Sequence, residues 1–119
     1  PHRRGIFYLY CRQQGMWPRE VGGRDPEKDR DFFRAFCPAQ QVTKDYPPTL
    51  LLHGDADSDV PYAQSATMAA ALEAAGVAYE LVTIPGGEHG FDRRQDATAD
   101  AALERVLDFL GHRVGVEGP

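Results

Sequence analysis

The stretch of sequence with the clearest potential for chemistry is HGDADSDVP at residues 53–61, in which Asp55, Asp57 and Asp59 occupy alternate positions. Carboxylates with this spacing occur in cation-binding loops, but a single carboxylate can also serve a histidine in catalysis. The nearest suitable histidine is His89, which lies in a glycine-rich segment, GGEHG, whose glycines allow sharp turns. The sequence therefore offers two alternatives, a cation site or an acid–histidine pair.

The calcium-loop alternative fails at specific positions. If Asp55 is position 1 of an EF-hand loop, position 6 should be glycine and position 12 glutamate, but these are Val60 and Ala66. Pro61 opens a predicted helix where such a loop would still surround the ion. The histidines and aspartates of the sequence also lack a clear three-ligand spacing for a catalytic metal. We therefore predict no metal site beyond weak, adventitious cation binding.

The order of elements from residue 49 onward brings the two loops together. The run TLLLH at residues 49–53 is typical of a strand buried on both faces. Pro61 then opens an alanine-rich helix that Gly76 should end, and VAYELVTI at residues 77–84 predicts a second strand. A helix between two such strands makes them parallel, so both loops leave the same edge of the sheet. We expect the acidic residues at 55–59 to lie near the histidine of the next loop.

A final helix is predicted because apolar residues recur at helical spacing, and Gly111 is expected to end it. The residues of this stripe are Leu103, Val106, Leu107 and Leu110.

The first part of the chain is also predicted to be largely helical. Residues 6–17 mix aromatic and aliphatic side chains, which favours either a helix or a buried extended segment. Asp25 as a cap and Pro26 at the first helical position predict a second helix that runs to about Phe36, before Pro38. That helix would place three aromatic rings on one side, namely Phe32, Phe33 and Phe36.

These segments together resemble a known family. PPTLLLHGDADSDVPYAQS followed by AAALEAAGVAYELVTIPGGEHGF resembles the C-terminal half of an α/β-hydrolase, most closely the prolyl oligopeptidase and dienelactone hydrolase-like branch. The resemblance covers residues 47–111, whereas residues 1–46 resemble a lid or linker segment more loosely, and residues 112–119 form a tail. It implies an α/β fold with parallel strands and crossover helices, preceded by a helical, lid-like segment.

The resemblance also implies roles for individual residues. The catalytic acid of the family corresponds to Asp57 and its catalytic base to His89, while His53 belongs to a structural turn. Asp55 and Asp59 occupy variable positions, where they would be solvated turn acids or a cap for the helix near Pro61. Neither a cofactor nor a metal is implied.

A nucleophile is not recognisable in the sequence. The two serines, Ser58 and Ser65, lie outside any G-x-S-x-G elbow, and Cys11 and Cys37 lack flanking glycines. Because the chain also starts at Pro1 without a methionine, we expect the C-terminal part of a serine hydrolase that cleaves ester or peptide bonds through an acyl-enzyme and is inactive alone. The alternative is a non-catalytic binding or regulatory module with a hydrolase-like fold.

Composition excludes several other classes of protein. The 119 residues are 42% hydrophobic and 26% charged, as in an ordinary globular domain, and no apolar run approaches the roughly 20 residues of a membrane span. A net charge of −5 without a basic stripe argues against nucleic-acid binding, and two isolated cysteines favour a cytoplasmic protein. The expected partners are an ester or peptide substrate and either a missing N-terminal half or a second copy paired through an exposed sheet edge.

Aromatic side chains in the first part of the chain fit either of two roles. They could line an apolar acyl pocket beneath a lid, or they could simply form core. The sequence does not choose between them, nor between an esterase and a peptidase. The residues concerned are Phe7, Tyr8, Tyr10, Trp17, Phe32 and Phe33.

Overall fold

The structure, a computed structural model, describes the backbone of residues 2–114 and the side chains of residues 6–113. The chain divides into two compact units, residues 1–41 and residues 42–119. The first unit is helical, and the second contains the sheet.

The first unit contains three helices: α1 (His2–Gln13), α2 (Trp17–Gly22) and α3 (Arg30–Arg34). A single 3-10 turn, Pro38–Gln40, follows them. Of the two predictions for residues 6–17, the helical one is therefore confirmed as far as Gln13.

The packing of this unit is sparse around α1. Cys11 is fully buried, and burial raises the pKa of its thiol. Most of the aromatic and aliphatic side chains of α1 are exposed, although Tyr8 packs edge-on against Trp17 with 4.7 Å between ring centroids. These aromatic residues do not form a closed core within the part of the chain that the structure describes.

The predicted helix start at Asp25 is wrong. Instead, the Asp25 side chain accepts a hydrogen bond from the Glu27 N–H at 3.0 Å and one from Arg19 at 2.6 Å, which stabilise a turn. Helix α3 begins only at Arg30 because Asp29 has a non-helical backbone conformation. The same composition that favours a helix cap also favours this turn.

The second unit contains β1 (Thr49–Gly54), α4 (Ala63–Ala74), β2 (Tyr79–Ile84) and α5 (Ala97–Val114), with a 3-10 turn at Phe91–Arg93. The two strands are parallel and pair in register from one end to the other. Helix α4 connects them and packs on both, and Gly76 follows it with a positive φ of 70°. The predicted order of strand, crossover helix, parallel strand and helix is confirmed.

The core of this unit lies between the sheet and its helices. It is formed by small and medium apolar side chains: Ala69, Leu72, Val77, Ile84, Ala99 and Ala102. The leucines of β1 are only half-buried, so the prediction of a strand buried on both faces is not met. Within the described residues each strand has one neighbouring strand, which leaves part of its surface uncovered.

Helix α5 departs from the sequence prediction in two respects. It continues through Gly111 to Val114, since one glycine costs a helix only about 1 kcal/mol. The predicted apolar stripe is also largely exposed: Leu103, Leu107 and Leu110 keep 57%, 59% and 48% of their surface accessible. The face of α5 that turns toward the core is instead the one with small alanines.

Two further predictions concern the C-terminal tail and the absence of a membrane-spanning segment. Residues 112–114 of the predicted tail belong to α5, and residues 115–119 lie outside the described residues. Among the described helices, none is both long and apolar enough to cross a bilayer.

Candidate active site

Two loops leave the paired strands side by side. The acid loop (residues 55–61) follows β1, and the histidine loop (residues 85–90) follows β2. Beyond the last strand pair, the Asp55 N–H donates to the Ile84 carbonyl at 3.2 Å and the Ala56 N–H to the Gly87 carbonyl at 3.1 Å. The parallel ladder therefore continues into the loops and holds them together.

Two glycines permit this close approach. A Cβ atom on Gly54 would overlap the backbone carbonyl of Gly87, and a Cβ on Gly87 would lie 2.9 Å from the Gly54 Cα. Real Cβ atoms do not come this near to backbone atoms, so a side chain at either position would push the loops apart. The two glycines allow the acid and histidine loops to touch.

Asp55 forms a further contact between the acid loop and the histidine loop. Its carboxylate accepts a hydrogen bond from the Gly86 N–H at 2.6 Å, and Gly86 has a positive φ of 65°. Asp55 is thus a bridge to the histidine loop as well as an exposed turn acid. Helix α4 starts at Ala63 with Tyr62 at its N-cap position, and the Tyr62 side chain forms no capping hydrogen bond. A capping role of Asp59 stays a prediction.

The structure brings Asp57 and His89 into direct contact. The Asp57 Oδ1 atom accepts hydrogen bonds from the N–H groups of Asp59 and Val60, both at 2.8 Å. Its Oδ2 atom lies 3.1 Å from Nδ1 of His89. The Asp57 side chain is 8% exposed and the His89 side chain 56%, so the acid is sheltered and the imidazole is open.

The surroundings of Asp57 favour its ionised form. The hydrogen bond from the Val60 N–H has the largest effect and, with those from His89 and the Asp59 N–H, lowers the pKa of Asp57 to about 2 against the opposing effect of desolvation. At neutral pH the carboxylate is an acceptor only, so Nδ1 of His89 carries the hydrogen between them. In the neutral ring Nε2 then has a free lone pair, and it bonds to none of the residues that the structure describes.

A second histidine approaches the same carboxylate. The Nε2 atom of His53 lies 3.3 Å from Oδ2 of Asp57 and 3.0 Å from the carbonyl oxygen of Val60. Its Nδ1 atom lies 2.6 Å from Oγ of Ser65. The sequence indicated a structural turn at His53 but gave no sign of the bond to Ser65, which depends on where α4 starts.

An open groove of about 690 Å³ adjoins the pair. Asp57 and His89 contribute to its wall, together with apolar side chains of β1 and α5 that include Leu52, Leu103 and Val106. An acyl group or another apolar moiety could occupy this groove beside the exposed imidazole.

Neither a metal centre nor a nucleophile is assembled here. The described residues include no group of three or more His, Cys, Asp or Glu side chains suited to hold a metal ion. Ser65 is hydrogen-bonded to His53 rather than to His89. Within the described residues, the site thus consists of an acid and a histidine.

Comparison with known proteins decides the family. The model of the prolyl oligopeptidase family matches residues 7–117, which include both loops and both strands. The chain belongs to the prolyl oligopeptidase family. This confirms the resemblance to α/β-hydrolases and the fold class of a partial α/β-hydrolase with a parallel sheet.

Two relatives of this chain carry the name esterase. Esterase LipQ of Mycobacterium tuberculosis is 39% identical over 81 residues, and esterase LipC of the same organism is 32% identical over 95 residues. These matches cover 67% and 77% of this chain but only 19% and 23% of the two esterases. The chain therefore spans about a fifth of the length of the curated relatives it matches.

A solved structure of an esterase also matches this chain. A truncated form of a carbohydrate esterase from gut microbiota is similar with a TM-score of 0.60 and 31% identity, over 72% of this chain and 30% of that one. The chain thus shares its fold with part of that structure.

Proposed function

We propose that this chain supplies the acid and the general base of an ester hydrolase, with Asp57 as the acid and His89 as the base. The observation that carries the proposal is the 3.1 Å contact between Oδ2 of Asp57 and Nδ1 of His89, which leaves Nε2 open. An ionised carboxylate on one ring nitrogen and free access to the other is the arrangement a histidine base requires.

The proposed reaction proceeds through an acyl-enzyme. His89 Nε2 removes the proton from a serine hydroxyl outside these 119 residues, and the serine oxygen bonds to the ester carbonyl carbon. The C–O bond to the alcohol breaks, and the alcohol takes the proton from His89. Water then attacks the acyl group with His89 again as base, and the carboxylic acid and the free serine are released. Asp57 stabilises the imidazolium formed in both steps.

Two lines of support favour esters over peptides as substrates. Two of the relatives carry the name esterase, and the similar solved structure is called a carbohydrate esterase. The name of the family itself refers to a peptidase, so amide bonds are the second candidate substrate. The open apolar groove beside His89 accepts either kind of acyl group.

The proposal is tested on the protein translated from the complete reading frame that encodes these residues. We expect it to hydrolyse p-nitrophenyl acetate and His89→Gln to lose at least about 1,000-fold in kcat, because the general base is removed. The matched control is His112→Gln, an exposed histidine near the end of α5, which should keep full activity.

Three outcomes are informative. Hydrolysis of proline p-nitroanilide but not of the acetate would replace the ester proposal with the peptide one. Activity of His89→Gln equal to that of His112→Gln would contradict the role of His89. The 119-residue chain alone should show only background hydrolysis, because the described residues provide no serine for His89.

The finer assignments of extent and location stay predictions. These are a lid or linker at residues 1–46, a core at residues 47–111 and a tail at residues 112–119, in a cytoplasmic protein.

A further inference from the structure

The inference concerns His53, a buried histidine that the proposed reaction does not use. His53 lies one residue before the end of β1 and is only 8% exposed. Both of its ring nitrogens have partners, Ser65 and Val60. A polar ring held so fully inside a small apolar core calls for a physical reason, since burial of an imidazole is costly unless its nitrogens are satisfied.

The partners of His53 fix its tautomer. The Val60 carbonyl oxygen can only accept, so Nε2 of His53 carries a hydrogen and donates it across 3.0 Å. In the neutral ring Nδ1 then has a lone pair, and the Ser65 hydroxyl donates to it across 2.6 Å. The Val60 carbonyl therefore selects the form of His53 in which the N–H points toward the acid loop, and the Ser65 hydroxyl satisfies the other ring nitrogen.

The same nitrogen atom also lies beside the carboxylate of the candidate site. Nε2 of His53 lies 3.3 Å from Oδ2 of Asp57, the oxygen that contacts His89. The hydrogen on Nε2 is engaged by the Val60 carbonyl, so His53 acts on the carboxylate through the Val60 peptide, whose N–H has the largest effect on the pKa of Asp57.

Val60 connects the two residues a second time. Its N–H donates to Oδ1 of Asp57 at 2.8 Å, and its carbonyl accepts from His53. Asp57, Val60 and His53 thus form a closed set of contacts that is anchored to β1 through His53 and to α4 through Ser65. If His53 were lost, the Val60 peptide could rotate and Oδ2 of Asp57 could turn away from His89.

We propose that His53, in the tautomer set by the Val60 carbonyl, is a positioning residue that holds the Asp57 carboxylate toward His89. The contribution of His53 to catalysis rests on the proposed function of Asp57 and His89. The effect of His53 on the position of the Asp57 carboxylate does not depend on that function. We therefore test the two with separate measurements.

The first measurement is the titration of the Asp57 carboxyl carbon by ¹³C NMR in the full chain, with dispersed amide signals as the criterion of folding. The midpoint should lie near 2 in the unchanged protein and should move toward the ordinary value of 3.8 in His53→Leu. His53→Gln keeps a donor for Val60 and should restore most of the low midpoint.

A second pair of variants covers the case in which His53→Leu does not fold. Ser65→Ala leaves Nε2 of His53 on Val60 but removes the partner of Nδ1, so the ring is held less firmly and the Asp57 midpoint should rise by a smaller amount. Ser58→Ala, at an exposed position of the acid loop, is the matched control and should leave the midpoint unchanged.

The second measurement is ester hydrolysis by the protein from the complete reading frame. A misdirected carboxylate should lower kcat roughly 10-fold in His53→Leu while KM changes little, because a small misplacement of a catalytic group affects the transition state most. His53→Gln should recover most of this loss.

The results separate the two proposals. An Asp57 midpoint in His53→Leu or Ser65→Ala equal to that of Ser58→Ala would overturn the positioning role, as would a failure of His53→Gln to differ from His53→Leu. Absence of hydrolysis in every variant and in the unchanged protein would count against the proposed function only, and the NMR titration would still decide the role of His53.

Discussion

At the scale of single residues, the two oxygens of Asp57 have different tasks. Oδ1 accepts two N–H groups of its own loop, which fixes the carboxylate, and Oδ2 faces His89. Asp59 contributes to the site through its backbone N–H, whatever its side chain does.

The low pKa of Asp57 predicts how stability depends on pH. Because the folded value of about 2 is below the ordinary value of 3.8, the unfolded chain binds the proton more readily. The stabilisation from ionised Asp57 is therefore fully present above about pH 4 and is lost as the pH falls toward 2. Urea unfolding should show that Asp57→Asn is less stable than the unchanged protein at pH 7 and that the difference shrinks near pH 2.

The control for this experiment is Asp92→Asn, an exposed aspartate in the turn after the histidine loop. It should show no such dependence. A difference between the unchanged protein and Asp57→Asn that is the same at both pH values would contradict the low pKa.

The sequence predicted correctly which loops lie close together, because the order of strands and helices along the chain determines this. The proximity of Asp57 and His89 followed from two loops after adjacent parallel strands. The contact of His53 with Ser65 could not be foreseen, because it depends on the rotation of α4 against β1 rather than on spacing. Loop details of this kind are set by packing.

At the scale of elements, the decisive feature is the contact between the two loops at Gly54 and Gly87. The strands position these glycines opposite one another, and no side chain fits between them. The glycine of the H-G motif, Gly54, and Gly87 of the histidine loop therefore serve the same purpose: they allow the two backbones to approach closely.

This contact predicts that Gly54→Ala is costly. The added methyl group must displace the Gly87 backbone, and overpacking of this kind destabilises by about 1–3 kcal/mol. Urea unfolding should show that loss, and the Asp57 titration should shift because the loops separate.

The control is Gly22→Ala in the helical unit, where the nearest atoms belong to the Phe33 side chain, which can move. It should cost clearly less. Equal unfolding free energies for Gly54→Ala and the unchanged protein would show that the loops are not in contact as described.

The prediction of a helix failed where the same short sequence is compatible with two local structures. Asp25 with Pro26 satisfies the rules for a helix start, but the Asp25 side chain closes a turn with Glu27 and binds Arg19 instead. The strands and the crossover helix were predictable because continuous apolar runs and a long alanine-rich segment have few alternatives.

At the scale of the whole molecule, an uncovered apolar surface remains on α5. Leu103, Leu107 and Leu110 are exposed along one side of the helix, and Leu103 also lines the groove next to the site. Sequence periodicity predicted this stripe but not its exposure, since a pattern identifies an apolar face without identifying what covers it.

The exposed stripe predicts self-association of the 119-residue chain. Sedimentation velocity should show an apparent mass that rises with concentration, and Leu107→Glu should reduce that rise because it places a charge in the apolar surface. Ala101→Glu, at an exposed position of the same helix, is the control and should change little. A concentration-independent monomer would contradict this prediction.

The central claim is that Asp57 orients His89 for ester hydrolysis, and the most direct test is kcat/KM of Asp57→Asn in the protein from the complete reading frame. Asparagine keeps the size of the side chain but removes the charge and can stabilise the wrong tautomer of His89, so we expect a loss of roughly 10⁴-fold. Asp92→Asn should stay near the unchanged value. An Asp57→Asn enzyme within threefold of that control would contradict the account.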